Sequence, residues 1–380
     1  MKSILSLVAV VGMVAAVAAQ AAAVTITEFF VPTAGSLPVG ITAADGNLWF
    51  TENDGIGKIG RVTTAGIFIE YAVPTTYSIP YGITAGPDGN LWFTEYDASK
   101  IGKVTPTGVF SEYVIPTAGS LPVGIATGPD GNLWFTESGT GTTAGFNKIG
   151  KVTTAGVFNE YVIPTGGSVP LGITSGPDGN VWFTETGTDK TPTNKIGKVT
   201  TAGIFTEYVI PTAGSSPRGI TAGPDGNLWF TEFTANKIGK VTTTGIFTEY
   251  VIPTADSLPA SIAAGPDGNL WFTEVNSNKI GRVTTAGTFA EYVIPTGNSG
   301  PGDITAGPDD SLWFAEQNSN QIGRLSLVTA ARTDSNGGCS ITPTHQAEAT
   351  SLWGLWLIPA VLLWRRRLST KCLTSPAAQA

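Results

Sequence analysis

The chain has 380 residues, 41% hydrophobic and 13% charged, with 48 glycines, 25 prolines and a formal net charge of -8. That is apolar material enough for a large core, and the glycine and proline content calls for many tight turns instead of long helices. The acidic balance argues against a nucleic-acid partner, because a phosphate backbone is held by clustered basic residues.

At the N-terminus, Lys2 precedes an apolar stretch from Ile4 to about Ala19, and small residues then permit cleavage after Ala21 or Ala23. This is the layout of a secretory signal peptide over residues 1–23. An uncleaved anchor helix is the alternative reading. Either way the expected destination is outside the cytoplasm.

From residue 24 onward one phrase recurs. Gly-Pro-Asp-Gly-Asn-Leu-Trp-Phe-Thr-Glu is complete at residues 86–95, 128–137, 223–232 and 265–274, with near-copies starting at residues 44, 176 and 307. Its seven tryptophans are spaced 42 to 48 residues apart, a period of repeat architectures with one supersecondary unit per copy. Within the copy at residues 219–253, a short strand runs into the Pro-Asp-Gly turn, where proline presets φ and glycine closes the bend. An alternating strand follows at 228–232, a third at 238–242 and a fourth at 246–252, ended by Pro253. Four antiparallel strands repeated seven times predict an all-β fold, a seven-bladed β-propeller of four-stranded blades over residues 24–328. The seventh copy stops at Leu327 without a fourth strand, while a spare one stands at residues 26–32. The N-terminal strand is therefore expected to complete the last blade, and closure is expected to remove exposed sheet edges.

A residue present in every copy cannot single out one location, so scaffold and candidate site separate by comparing the copies. The Trp, the Pro-Asp-Gly turn and the Glu after Trp-Phe-Thr belong to the scaffold, the Asp as a turn residue and not part of a calcium loop. Each such Glu is expected to be tied to a neighbouring Lys or backbone N–H. What varies is the residue after the Pro that opens each first strand: Val39, Tyr81, Val123, Leu171, Arg218, Ala260 and Gly302. The glycine after it becomes Ser261 and Asp303 in the last two copies. In a propeller these positions ring the channel mouth, and two long loops, at 138–148 and 186–195, are expected on the same face. Arg218 and Lys190 are the basic residues of the ring outside the repeated frame. Tyr81, Arg218 and Asp303 are the ligand-binding candidates; ordinary solvent-facing variation would produce the same pattern. The ring has neither His nor Cys, so it offers no metal constellation of those ligands and no Ser-His-Asp triad.

Beyond the ring, a polar spacer at 329–350 carries a Gly-Gly-Cys motif ending at Cys339 and the one histidine, His345. An apolar run and Arg365, Arg366 and Arg367 complete a segment at 351–367, and a short tail at 368–380 follows. The order of motif, apolar run and basic cluster resembles the C-terminal sorting signals of bacterial surface proteins. It implies an exported protein of the cell envelope or surface, held to the membrane by this segment and released if the tail is processed.

The recurring Ser-x-Pro-x-Gly-Ile-Thr, Asn-Lys-Ile-Gly-Lys/Arg-Val-Thr and Thr-Glu-Tyr-Val-Ile-Pro-Thr, with the tryptophan phrase, resemble the streptogramin B (virginiamycin B) lyase family across all seven copies. The resemblance implies a magnesium-assisted elimination that opens the ester C–O bond of a cyclic depsipeptide, with a histidine base at the channel mouth. It also implies histidines after the Pro of the sixth and seventh units, where this chain has Ala260 and Gly302. The family's acid before the seventh Pro meets Gly300, its acid after the second strand meets Glu316, and its first-unit tyrosine meets Val39. The expected function is an exported, monomeric propeller that binds a small-molecule or cell-envelope ligand. The alternative is a Mg2+-dependent carbon-oxygen lyase using Asp303 or Glu316 as base, and a third reading is a structural spacer of the envelope.

Overall fold

A computed structural model describes residues 24–139, 147–187 and 193–327. The leader at 1–23, the spacer, apolar segment and tail after Leu327, and Lys190 lie outside the described residues.

The described chain forms seven four-stranded antiparallel sheets, six of them built from consecutive strands. The seventh takes one strand from the other end of the chain: Val24–Phe30 pairs with Gln321–Leu327, Val24 opposite Leu327 and Phe30 opposite Gln321. The N-terminal strand thus completes the last blade, as expected. The expectation about edges needs correction, because each outer strand pairs on one side only. Outer strands such as Phe247–Val251 are five residues long and carry a mid-strand Glu249, features that discourage pairing with another chain.

The core lies between blades. Trp229 and Ile238 of the fifth blade pack with Ile262, Leu270, Phe272 and Val283 of the sixth, and all are buried. Trp229 stacks on Tyr250 with ring centres 5.7 Å apart, and Lys240 sits 5.1 Å from the indole centre on the way to Asp225. The indole N–H donates to Asp225 Oδ1 at 3.0 Å, so the Asp of the turn also satisfies the one polar atom of the buried ring. Burial alone would raise the Asp225 pKa, but hydrogen bonds from Trp229 and Asn227 outweigh it and hold the carboxylate below its ordinary value. Phe230 lies across Gly239 of the third strand, where a Cβ would come 2.1 Å from its ring. In the closing interface Trp313 packs against Ile41, Leu48, Phe50 and Val62 of the first blade, and Phe29 takes the stacking place of the tyrosine.

The glutamate that ends each second strand departs from its expected pairing. Glu232 is buried with 0% exposure, and neither carboxyl oxygen has a hydrogen-bond partner. Lys237, opposite it in register, pairs instead with Glu249 at 3.4 Å and donates to Thr212 Oγ1 at 2.6 Å. Two carboxyl groups compete for one ammonium, and the better solvated one takes it. Burial, then the Glu249 charge, push Glu232 up to about 8 against the pull of Lys237. The rise recurs in every blade, from about 7 at Glu95 and Glu274 to about 9 at Glu185, although Glu274 and Glu316 each accept one bond from a serine.

Two predictions follow from these contacts. Trp229→Ala should destabilise the ring by about 3–5 kcal/mol, read as a lowered urea midpoint; a small shift would show that the indole does not hold the interface. A folded pKa raised above the unfolded one means that the native state binds more protons between the two. The stability these glutamates contribute should therefore be fully present below about pH 4.5 and be lost as pH rises through about 7 to 9. Thermal midpoints across that range check this, and Glu232→Gln should flatten the fall.

Candidate functional site: the channel mouth

The first strands run side by side around the axis, and a cavity of about 500 Å³ opens among them. Its rim carries the variable position of every blade, Val39, Tyr81, Val123, Leu171, Arg218, Ala260 and Gly302, together with Ser261, Asp303 and Gln317. The three binding candidates thus share one cavity. Burial raises the Tyr81 hydroxyl above its ordinary value, with Arg218 opposing and Asp303 adding to the rise, so Tyr81 senses the charge of both. Glu316, in contrast, does not line the cavity; it is the seventh buried glutamate, with 0% exposure and Oε2 accepting from Ser319 at 3.1 Å. Residues 140–146 and 188–192 of the two long loops lie outside the described residues.

A second variable position escaped the sequence reading. The residue after each second-strand Glu is Asn53, Tyr96, Ser138, Thr186, Phe233, Val275 or Gln317, and in the second and fifth blades it stands against the rim residue. Tyr96 lies 6.4 Å from Tyr81 between ring centres, and the Arg218 guanidinium carbon sits 3.3 Å from the centre of the Phe233 ring. Val275 and Gln317 line the cavity directly. Disagreement among the copies was the available signal, the same one that marked the rim.

Around most of the axis a threonine latch joins the blades. Thr184 Oγ1 accepts from Gly172 N at 2.9 Å and donates to the Arg218 carbonyl of the next blade at 2.8 Å. Thr51, Thr94, Thr136 and Thr231 do the same. The inner strands come so close that a Cβ on Gly172 would lie 2.3 Å from that carbonyl. In the sixth blade Thr273 accepts from Ser261 N, and among the described residues it makes no bond onward; in the seventh, Ala315 has no hydroxyl. Here Asp303 takes over. Its Oδ1 accepts from Ser261 Oγ at 2.5 Å and from Ile304 N at 2.9 Å, and its Oδ2 from Ile41 N at 3.3 Å. One carboxyl group therefore clasps blades 6, 7 and 1. Burial raises its pKa and the three hydrogen bonds oppose the rise.

The sequence model of the virginiamycin B lyase family matches residues 14–146 and 189–333. The chain belongs to this family. It is 41% identical to the protein of a streptogramin B lyase structure, over 80% of this chain and 98% of that one, with a TM-score of 0.74. Virginiamycin B lyase from Staphylococcus aureus is 39% identical over 80% of this chain and 100% of that one, with a TM-score of 0.74, as the selenomethionine-substituted protein. The same values hold for a catalytically inactive histidine-to-alanine variant with quinupristin. Kuenenia stuttgartiensis hydrazine synthase, 17% identical over 79% of this chain and 98% of that one with a TM-score of 0.64, shares the fold alone. No curated protein matches the chain significantly.

The clasp is testable by a double-mutant cycle. Ser261→Ala and Asp303→Ala should each lower stability by about 1 kcal/mol or more, the latter by leaving the Ile41 N–H unpaired. Together they should cost less than their sum, by about 0.5 kcal/mol or more, in urea unfolding. Additive costs would show that the two side chains do not act as one device.

Proposed function

We propose that this protein is an exported, envelope-associated propeller that binds a small-molecule or cell-envelope ligand at the channel mouth and lacks the elimination chemistry of its lyase relatives. The observation that carries this reading is the state of the acids that would have to act as base. Histidine is absent from the ring, its one copy being His345 in the spacer, and the slots after the sixth and seventh Pro hold Ala260 and Gly302. Asp303 has three donors on its carboxyl group, and Glu316 is sealed from the cavity. A general base must reach the proton it removes and contributes about 10²–10⁴-fold when it does.

Magnesium takes oxygen ligands in near-octahedral array. Among the described residues no three acids, histidines or cysteines stand together to hold a metal, and the oxygens of Asp303 and Glu316 do not fit one for the reasons just given. Export and attachment to the envelope rest on the leader and the tail of the sequence, and a single ring suffices for the mouth.

The rival reading, a Mg2+-dependent carbon-oxygen lyase opening cyclic depsipeptide esters, is favoured by 41% identity to a streptogramin B lyase and by a relative captured with quinupristin. Incubating the purified protein with quinupristin and Mg2+, followed by mass spectrometry, separates the two. The expected outcome is an unopened ring. Magnesium-dependent linear product that disappears in Asp303→Asn would overturn the binding reading.

A further inference from the structure

The basic residues of the blades are almost all committed. In the fifth blade Lys237 pairs with Glu249 and Lys240 with Asp225, and the corresponding residues repeat these pairs around the ring. Arg61, the exception within the frame, lies over Trp49 and donates to the Pro106 carbonyl. Arg218 differs from all of these. It stands on the cavity rim, and among the described residues no carboxylate comes within ion-pair distance of it. Its neighbour is the Phe233 ring, which engages the face of the guanidinium and leaves the edge N–H groups for another partner. The rim acid, Asp303, is bound to Ser261, Ile41 and Ile304. The remaining rim is largely apolar, with Val39, Val123, Leu171 and Ala260, and Tyr81 brings an aromatic face.

From this we infer that the mouth selects a small amphiphilic anion, a carboxylate on an aromatic or apolar body, with Arg218 as the partner of the charge and Tyr81 and the apolar rim as the seat of the body. The inference rests on the mouth being the binding site and adds the class of ligand. A planar guanidinium matches a carboxylate by two parallel hydrogen bonds, and a cavity of about 500 Å³ lies within the range that encloses small ligands. A neutral lactone has no use for this charge, so anion preference is a property separate from streptogramin recognition.

The test uses the purified full chain and two probes of nearly the same shape, the anionic N-acetylphenylalanine and the neutral N-acetylphenylalaninamide, in calorimetric titration. The carboxylate should bind about 10-fold or more tightly than the amide, as a charged hydrogen-bonded pair contributes about 1.5–3 kcal/mol. Arg218→Gln should erase the difference while keeping the wild-type thermal midpoint, and rising salt should erode it. Equal binding of the two probes, a preference that survives Arg218→Gln, or no binding of the carboxylate would each overturn the proposal. Quinupristin titrated into the same samples keeps the two readings apart: if it binds while the probes show no charge preference, the mouth stands as a site and the anionic class falls.

Discussion

The indole that ends up between two blades is the constraint on which the rest of the ring depends. Each tryptophan belongs by sequence to one blade and by packing to the next, as Trp229 does against Leu270 and Phe272. Its stack on Tyr250, its N–H bond to Asp225 and the Lys240 cation above it orient the ring from its own blade. The orientation matters because a flat, rigid side chain transmits a fixed angle to the sheet packed on it. Repeating one interface seven times sets the curvature, and the circle closes when Trp313 meets the first blade with Phe29 in the tyrosine's place.

Closure crowds the axis. First strands there approach closely enough that glycine and a threonine hydroxyl form the joint between most blades. Replacing glycine by Ser261 and Asp303, and threonine by Ala315, breaks that joint at one sector, and the three-way clasp restores it. The same carboxyl group is not free to reach a proton in the cavity, since its two oxygens already accept from Ser261, Ile304 and Ile41 and a base would have to loosen part of that clasp. Ring integrity and base chemistry thus make opposing demands on one side chain, and the bonds observed serve integrity.

Much of this was legible in the sequence because a period of 42 to 48 residues with a tryptophan in each copy admits few folds. Tyr81, Arg218 and Asp303 were legible for the opposite reason, as departures from the period. The partner of the buried glutamate was not, because register places Glu232 opposite Lys237, while the choice between Glu232 and Glu249 depends on solvation that no spacing encodes. Phe233 and Tyr96 were harder to see because they follow a glutamate present in every copy and lie just past the end of the second strand. The threonine latch was likewise hidden: a hydroxyl bonding across blades has the same one-letter pattern as one bonding within a strand.

Seven near-identical blades give a surface that is nearly the same in seven directions, and a symmetric surface cannot orient an asymmetric ligand. Recognition has to come from the places where the copies differ, and at the mouth these are unequal in kind. The sector of Ser261, Asp303 and Gly302 differs in backbone joints, which fixes the shape of the rim. Tyr81 on the second blade and Arg218 on the fifth differ in chemistry, and each is backed by an aromatic ring, Tyr96 and Phe233. A backing ring limits the rotamers open to the residue in front of it, so less entropy is lost when a ligand binds. In the proposed binding reading, Tyr96 and Phe233 therefore serve the site without needing to touch a ligand, because each holds the rim residue in front of it.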